Sequence, residues 1–374
     1  MRARKLDTTK RRDVRAFIRF PFELYRDCPQ WVPPLLPDMR AALNKARYPF
    51  YHHSEADFFL VESEGQVLGR ITALDNRRYN DYHGSRVAFF YHLELVEDQQ
   101  VAQALFDAAF EWARQHDLDT VVGPKGLLRG DAHGILVRGF EHRPSVGVPY
   151  NYDYYDRLIQ GCGLAKYLDY DSAYVSRRRG LPPRVGAIAE RVKRRRGIVV
   201  KSLSSKAELR ASAPLIRRVY QQAFVQVPDY YPITEEDIKA MIDRLFAIAD
   251  PSLIKIVFKG DEPIGFMLAY PDVAAALQRI KGRLWPLGWI QVLREARRTE
   301  WVTFSGVGVI PAYQGAGVNA VLYAEVAKTV LSDKFNFEHG DAVQAAETNM
   351  GSVGDGNAFG VEWYKTHRVY RAEL

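Results

Sequence analysis

The stretch WVTFSGVGVIPAYQGAGVNAVLYAEVAKTVL, residues 301–331, reads as a buried strand, a glycine-rich turn and an amphipathic helix. Its opening is apolar and β-branched, and Pro311 ends the strand. The turn is Gln314, Gly315, Ala316, Gly317, Val318 and Asn319. Glycines at 315 and 317 carry no side chain, so backbone amides there can approach a ligand closely. Those amides open a helix, where unpaired N–H groups and the helix dipole both favour an anion. The segment therefore predicts a diphosphate cradle that needs no lysine, set against the plainer reading of an ordinary strand-to-helix turn. Two other nucleotide signatures fit poorly. The turn lacks the Lys-Ser/Thr pair of a P-loop, and its glycine spacing is not that of a dinucleotide-binding turn.

A chain of 374 residues, 47% of them apolar, can bury two ordinary cores, so two domains are expected. Looking outward from 301–331 for a second copy of the same pattern supports this. Residues 57–75, DFFLVESEGQVLGRITALD, and 254–272, IKIVFKGDEPIGFMLAYPD, each read as a hairpin. The first hairpin precedes a strand (87–96) and a helix (98–117) whose Val101, Ala104, Leu105, Ala108 and Trp112 mark one face. The second precedes 301–331, where Val318, Val321, Leu322, Val326 and Val330 take matching roles. A further strand follows each helix, at 120–124 and 341–347. The halves differ at the helix start: Asp98 is a natural N-cap, and its carboxylate would repel the anion that the glycine turn invites.

A net charge of +7 suits an acidic ligand, and equally RNA or an anionic membrane surface. Cys28 and Cys162 are too few for a disulfide scaffold and lack metal-ligand spacing. His52 and His53 have no third ligand at useful spacing, and no serine sits in a Gly-x-Ser-x-Gly elbow, which argues against metalloenzyme and hydrolase readings. No run is long enough to cross a bilayer, and the basic start is not followed by an apolar signal segment, so a cytoplasmic location and no metal are expected. Two segments lie outside the repeated pattern. Residues 176–198 read as a solvated basic connector containing a short helix, with contact to a coenzyme 3′-phosphate or to RNA as the functional alternative. Residues 274–300 mix Trp285, Leu287, Trp289, Ile290 and Leu293 with arginines; packing on the domain is expected, a substrate lid or membrane-surface segment being the alternative.

Val307-Gly308-Val309 followed by Gln314, Gly317 and Asn319 resembles the acyl-coenzyme A motif of the GNAT acyltransferase superfamily, in which the last place is usually Gly or Ala. The resemblance extends along most of the chain to a bacterial tandem-GNAT family of unassigned function. It is carried by FPFELYRDCPQWVPPLLPD (20–38), by Gly123-Pro124, Gly134, Gly139-Phe140, Pro144, Pro149-Tyr150-Asn151 and Tyr155, and by Asn349, Gly360, Lys365, Arg368 and Tyr370. It implies an α/β (α+β) fold of two GNAT-like domains, each a mixed, mostly antiparallel sheet flanked by helices. The expected division is 1–175 without cofactor, 176–197 as linker, and 198–374 with the acyl-CoA site.

The resemblance also implies a function: transfer of an acetyl or other acyl group from acyl-CoA to a small-molecule or peptide amine. The backbone of Val307, Gly308 and Val309 would align the pantetheine arm, and 314–319 would hold the diphosphate. Asn349 matches an Asn that precedes a catalytic Tyr in many GNAT enzymes, but no Tyr follows within GSVGDGNAFG, which leaves Tyr364 as the candidate acid. Glu94, Glu97 and Glu300 are each explained by surface placement. Tyr230 and Tyr231 in a Pro-flanked loop (226–237), and Asn151 and Tyr155 in an aromatic cluster (149–158), are candidate substrate contacts. Two alternatives stay open: a ligand-binding or regulatory protein on a degenerate GNAT scaffold, and a Fem-like transferase using aminoacyl-tRNA, for which nucleic acid would be the partner.

Overall fold

The computed structural model describes residues 1–374 apart from 226, 228 and 247, and leaves out the side chains of 241, 242, 244 and 245. Gln226 and Pro228 of the expected substrate loop thus lie outside the described residues, whereas Tyr230 and Tyr231 lie within them. The chain forms two compact units: Met1–Asp171 with Leu277–Pro286 and Lys365–Leu374, and Ser172–Ala276 with Leu287–Tyr364.

The first unit runs β1 (Ala3–Lys5), α1 (Arg11–Leu24), α2 (Leu36–Ala42), β2 (Glu55–Ser63), β3 (Gln66–Asp75), α3 (Arg77–His83), β4 (Val87–Leu95), α4 (Gln99–Gln115), β5 (Thr120–Gly123), β6 (Ile135–Arg138) and α5 (Tyr154–Gly161). Along β7 (Ala165–Ser176) the chain passes into the second unit. There it continues as α6 (Pro183–Arg196), β8 (Ile198–Ser202), α7 (Lys206–Ala223), α8 (Glu235–Phe246), β9 (Lys255–Lys259), β10 (Glu262–Pro271), α9 (Ala274–Ile280), α10 (Gly288–Arg298), β11 (Trp301–Val309), α11 (Val318–Val330), β12 (His339–Ala346) and α12 (Met350–Phe359). The last strand, β13 (Glu362–Glu373), begins in the second unit and ends in the first.

Strand order is β1-β2-β3-β4-β5-β13 in the first unit and β12-β11-β10-β9-β8 in the second. β4–β5 and β11–β12 pair in parallel; β1–β2, β2–β3, β3–β4, β5–β13, β8–β9, β9–β10 and β10–β11 are antiparallel. The expected class, a mixed and mostly antiparallel sheet with flanking helices in each half, is borne out. Local chemistry explains the hairpins: Glu64 and Gly65 both take positive φ, as a two-residue turn between right-twisting strands requires.

Helical periodicity sets the cores. Val101, Ala104, Leu105 and Trp112 of α4 are buried against the first sheet, and Val318, Val321, Leu322, Val326 and Val330 of α11 against the second. Truncating one of these to alanine, Leu322 for example, removes transfer energy and leaves a cavity, at a cost of about 2–5 kcal/mol.

The expectation of a solvated connector at 176–198 is corrected. Its helix α6 packs on α11: Val185 and Ala189 are buried, and Lys193 pairs with Glu325 at 3.0 Å. The arginines 194–196 remain exposed on its outer face. Aromatic packing at 274–300 is also corrected, since Trp285 is 83% and Leu287 63% exposed. Sequence put the first boundary at 175/176 and gave all of 198–374 to one domain. In the structure Tyr370–Glu373 pair with Thr120–Gly123, a contact between distant parts of the chain that no local pattern reveals.

Candidate functional site

In the second unit, β11 pairs with β10 from Gly265–Val309 to Pro271–Val302, with Ser305 as an extra residue that bulges out between Phe304 and Gly306. On its other side β11 pairs with β12 only over Trp301–Phe304 and His339–Ala342. Among the described residues no pairing follows, although β11 runs on to Val309 and β12 to Ala346. The two parallel strands therefore part, and backbone N–H and C=O groups of 305–309 on that side lack a strand partner. Ser305 is exposed, and a Cβ on Gly306 would meet nothing within 4 Å, so the gap is open at the bulge. Gly308 has the opposite need: a Cβ there would lie 2.9 Å from Phe224 and 3.1 Å from Phe266.

The gap leads to the glycine turn. Pro311–Tyr313 make one 3-10 turn, and the Gln314 side chain donates to the Val309 carbonyl at 2.9 Å, fixing the loop to the strand end. Gly315 and Gly317 have φ of 69° and 82°, the left-handed region that disfavours side chains. Gly317 is the N-cap of α11 and supplies no side-chain oxygen, so the first amides of the helix are uncapped. It must be glycine for a second reason, because a Cβ would lie 2.8 Å from Val192 of α6. Asn319, the departure from the usual motif, is turned onto α12: its Nδ2 donates to Asp355 at 2.8 Å, and the Tyr323 hydroxyl donates to the same oxygen at 3.0 Å. Burial, then the Asp355 charge, raises the Tyr323 pKa well above its ordinary value.

Beyond the bulge lies a buried polar group that sequence reasoning missed. Asp341 is 1% and Asp272 3% exposed, and Asp341 stands opposite Thr303 in the parallel register. The hydroxyl of buried Tyr270 meets Ser305 at the bulge; burial raises its pKa, and Asp272 and Asp341 raise it further. Tyr364 is buried against Asp341, and burial followed by the Asp341 charge pushes its pKa far up. Aspartates at the end of β10 and early in β12 look like turn residues in sequence, which hid them.

The other candidate residues have structural partners. Asn349 caps α12, its Oδ1 accepting from the Ser352 amide at 3.2 Å. Tyr230 and Tyr231 are buried, and the Tyr230 hydroxyl donates to the Gln221 carbonyl at 3.0 Å. In the first unit Asn151 is 3% exposed and bonds the backbone of Leu136 and Tyr152. Tyr155 is fully buried and meets Tyr25, Glu94 and the Leu95 amide.

Tyr155 belongs to a cluster that occupies, in the first unit, the place of the gap in the second. Strand β4 bulges against β3 at His92–Leu93, with Gly69 opposite Leu95 and Arg70 opposite Glu94, as Gly265 is opposite Val309 and Phe266 opposite Gly308. Glu94 thus stands where the second unit has Gly308. The Tyr25 hydroxyl donates to Glu94 at 2.5 Å, Tyr155 at 3.1 Å, and Arg70 lies 3.6 Å away. Desolvation raises the Glu94 pKa despite the opposing pull of Arg70. Surface placement was expected for Glu94, and the structure corrects it. At the following helix, Asp98 accepts from the Gln100 amide at 2.7 Å, so α4 caps itself.

The second unit's bulged strand, parting parallel neighbour and glycine turn opening a helix are those of the GNAT fold, and the repeated strand-and-helix element sets that fold in tandem. Among solved structures, a tandem GNAT protein from the clavulanic acid biosynthesis pathway matches at 14% identity and TM-score 0.57, over 99% of this chain and 98% of that one. A GCN5-related N-acetyltransferase from Sphaerobacter thermophilus matches at 15% identity and TM-score 0.52, over 99% and 95%. In sequence the chain is 26% identical over 370 residues to Protein YghO of Escherichia coli (strain K12), covering 97% of this chain and 93% of the relative. It is 25% identical over 369 residues to a bacterial ceramide synthase of Caulobacter vibrioides (strain NA1000 / CB15N), covering 97% and 95%. No protein-family model matches. Among the described residues no group of side chains could hold a metal ion, and no helix is long and apolar enough to cross a membrane.

Proposed function

We propose that this protein is an acyl-CoA-dependent N-acyltransferase whose second unit binds the coenzyme. One observation carries the reading: the parted strands β11 and β12 run into an uncapped, glycine-shaped helix start. The diphosphate of coenzyme A is read onto Gln314–Asn319, and the pantetheine arm onto the backbone of Val307, Gly308 and Val309. In the reaction the amine nitrogen attacks the thioester carbonyl, the carbon–sulfur bond breaks, and the amine proton leaves as the thiolate gains one. Free backbone amides beside the bulge suit the oxygen that gains charge. Tyr270, whose hydroxyl meets Ser305 at the bulge, feels the charges of Asp272 and Asp341, and we assign these two aspartates as acceptors of the amine proton. Tyr364 keeps its own proton and lies beside Asp341; Asn349 positions α12. Similarity to a relative named a bacterial ceramide synthase supports a lipidic amine as acceptor here.

A second reading, binding without turnover, has one observation in its favour. Asp355 brings a carboxylate to the first turn of α11, where it would meet the diphosphate's own charge.

Calorimetric titration with coenzyme A and acetyl-coenzyme A tests the placement. Ala316→Asp adds a carboxylate to the turn without touching Gly315 or Gly317. Affinity should fall by about tenfold or more, the equivalent of about 1.4 kcal/mol. Unchanged affinity in a folded variant would remove the coenzyme from this turn. Thioester consumption with long-chain amino alcohols separates the readings, since binding without any consumption supports the second.

A further inference from the structure

Helix α10, GWIQVLREARR, is buried along one edge, at Gly288 and Val292. Its outer side carries Trp289, 49% exposed, and Leu293 one turn later, 38% exposed. Leu287 just before the helix and Trp285 two residues earlier in the chain are more exposed still. Ten large apolar residues are strongly exposed among those described, and four of them fall within these nine positions, so the exposure is concentrated in one segment. Beside this apolar stripe Arg294, Arg297 and Arg298 are exposed and have no carboxylate partner among the described residues. Over 279–300 the sequence has six basic residues and two acidic ones.

We propose that α10 with Leu287 is a docking surface for an anionic lipid bilayer. An interfacial helix needs an apolar face with tryptophan or leucine, flanked by arginines whose stems lie along the apolar surface while their charges reach the headgroups. That is the arrangement here. Charge decides between occupants. A second copy meeting this face about a two-fold axis would set the same cations against each other, whereas an anionic bilayer supplies the opposite sign. The face is also a convex helix, suited to entry into a headgroup layer. The inference stands on α10 alone and does not require the coenzyme site to be correct.

Flotation of the full-length protein with vesicles of phosphatidylcholine, alone or mixed with phosphatidylglycerol, tests it. Binding to the mixed vesicles is expected, with weakening of about tenfold or more in Trp289→Ser/Leu293→Ser and in Arg294→Glu/Arg297→Glu, and with added salt. All four side chains are exposed, so unfolding temperature and coenzyme titration should match the parent protein; this separates loss of docking from loss of fold or coenzyme site. Absence of binding to either vesicle, equal binding to both, or binding that survives both double substitutions would overturn the proposal. So would concentration-dependent dimerisation without lipid that these substitutions abolish, because it assigns the face to a second copy.

Discussion

The two units build the same strand-and-helix element and finish it oppositely. In the second, Gly308 and Phe266 face each other across the sheet, and eight residues, 310–317, lead from the strand to an uncapped helix. In the first, Glu94 and Arg70 hold those places, and three residues, 96–98, reach the helix and end on a capping aspartate. One unit leaves amides uncapped at an open turn; the other caps its helix with Asp98 and surrounds Glu94 with Tyr25, Tyr155 and Arg70. A binding site of this kind is made by withholding ordinary stabilising features, a cap and a filled strand face, rather than by adding special ones.

Exchanging residues between the units tests that equivalence. The largest effect is expected from Gly308→Glu, which carries the first unit's residue into the second. Its Cβ meets Phe224 and Phe266, and no arginine stands opposite, so overpacking and an unpaired buried charge should cost more than about 3 kcal/mol in urea unfolding. Stability within about 1 kcal/mol of the parent would show that the two positions are not equivalent. Glu94→Gln comes next, at about 1–3 kcal/mol, because Arg70 loses its carboxylate. It also changes the pH profile. A carboxyl whose folded pKa is raised favours folding below its unfolded pKa and loses that contribution as pH climbs through the folded value. Stability should therefore decline less steeply in the variant just above the ordinary carboxylate range; an identical slope would mean that Glu94 is not desolvated. The smallest effect belongs to the cap. Asp98→Ala should cost about 1 kcal/mol and Asp98→Gly a few tenths. Neither should create coenzyme affinity, since the short loop remains; a gain of binding in Asp98→Gly would make the cap alone responsible for the difference.

The parts legible in sequence were those with local signals. Periodicity located α4 and α11, the Glu64-Gly65 turn located its hairpin, and the glycines of 315–317 marked the turn. Glu94 was misread because its partners, Tyr25, Arg70 and Tyr155, are scattered through the first unit and only folding assembles them. Asp272 and Asp341 have a different cause: at the end of β10 and early in β12 they look like ordinary turn residues. At α10, the same amphipathic pattern describes a helix that buries its tryptophan and one that displays it, so exposure had to be seen.

The pairing of Tyr370–Glu373 with Thr120–Gly123 has a consequence for synthesis. A ribosome makes the chain in order, so most of the first unit emerges well before the strand that completes it. Until β13 arrives, β5 exposes an edge ready to pair with another chain. The unit translated first is thus among the last to close, and it spends the synthesis of the second as an open sheet that a chaperone can recognise.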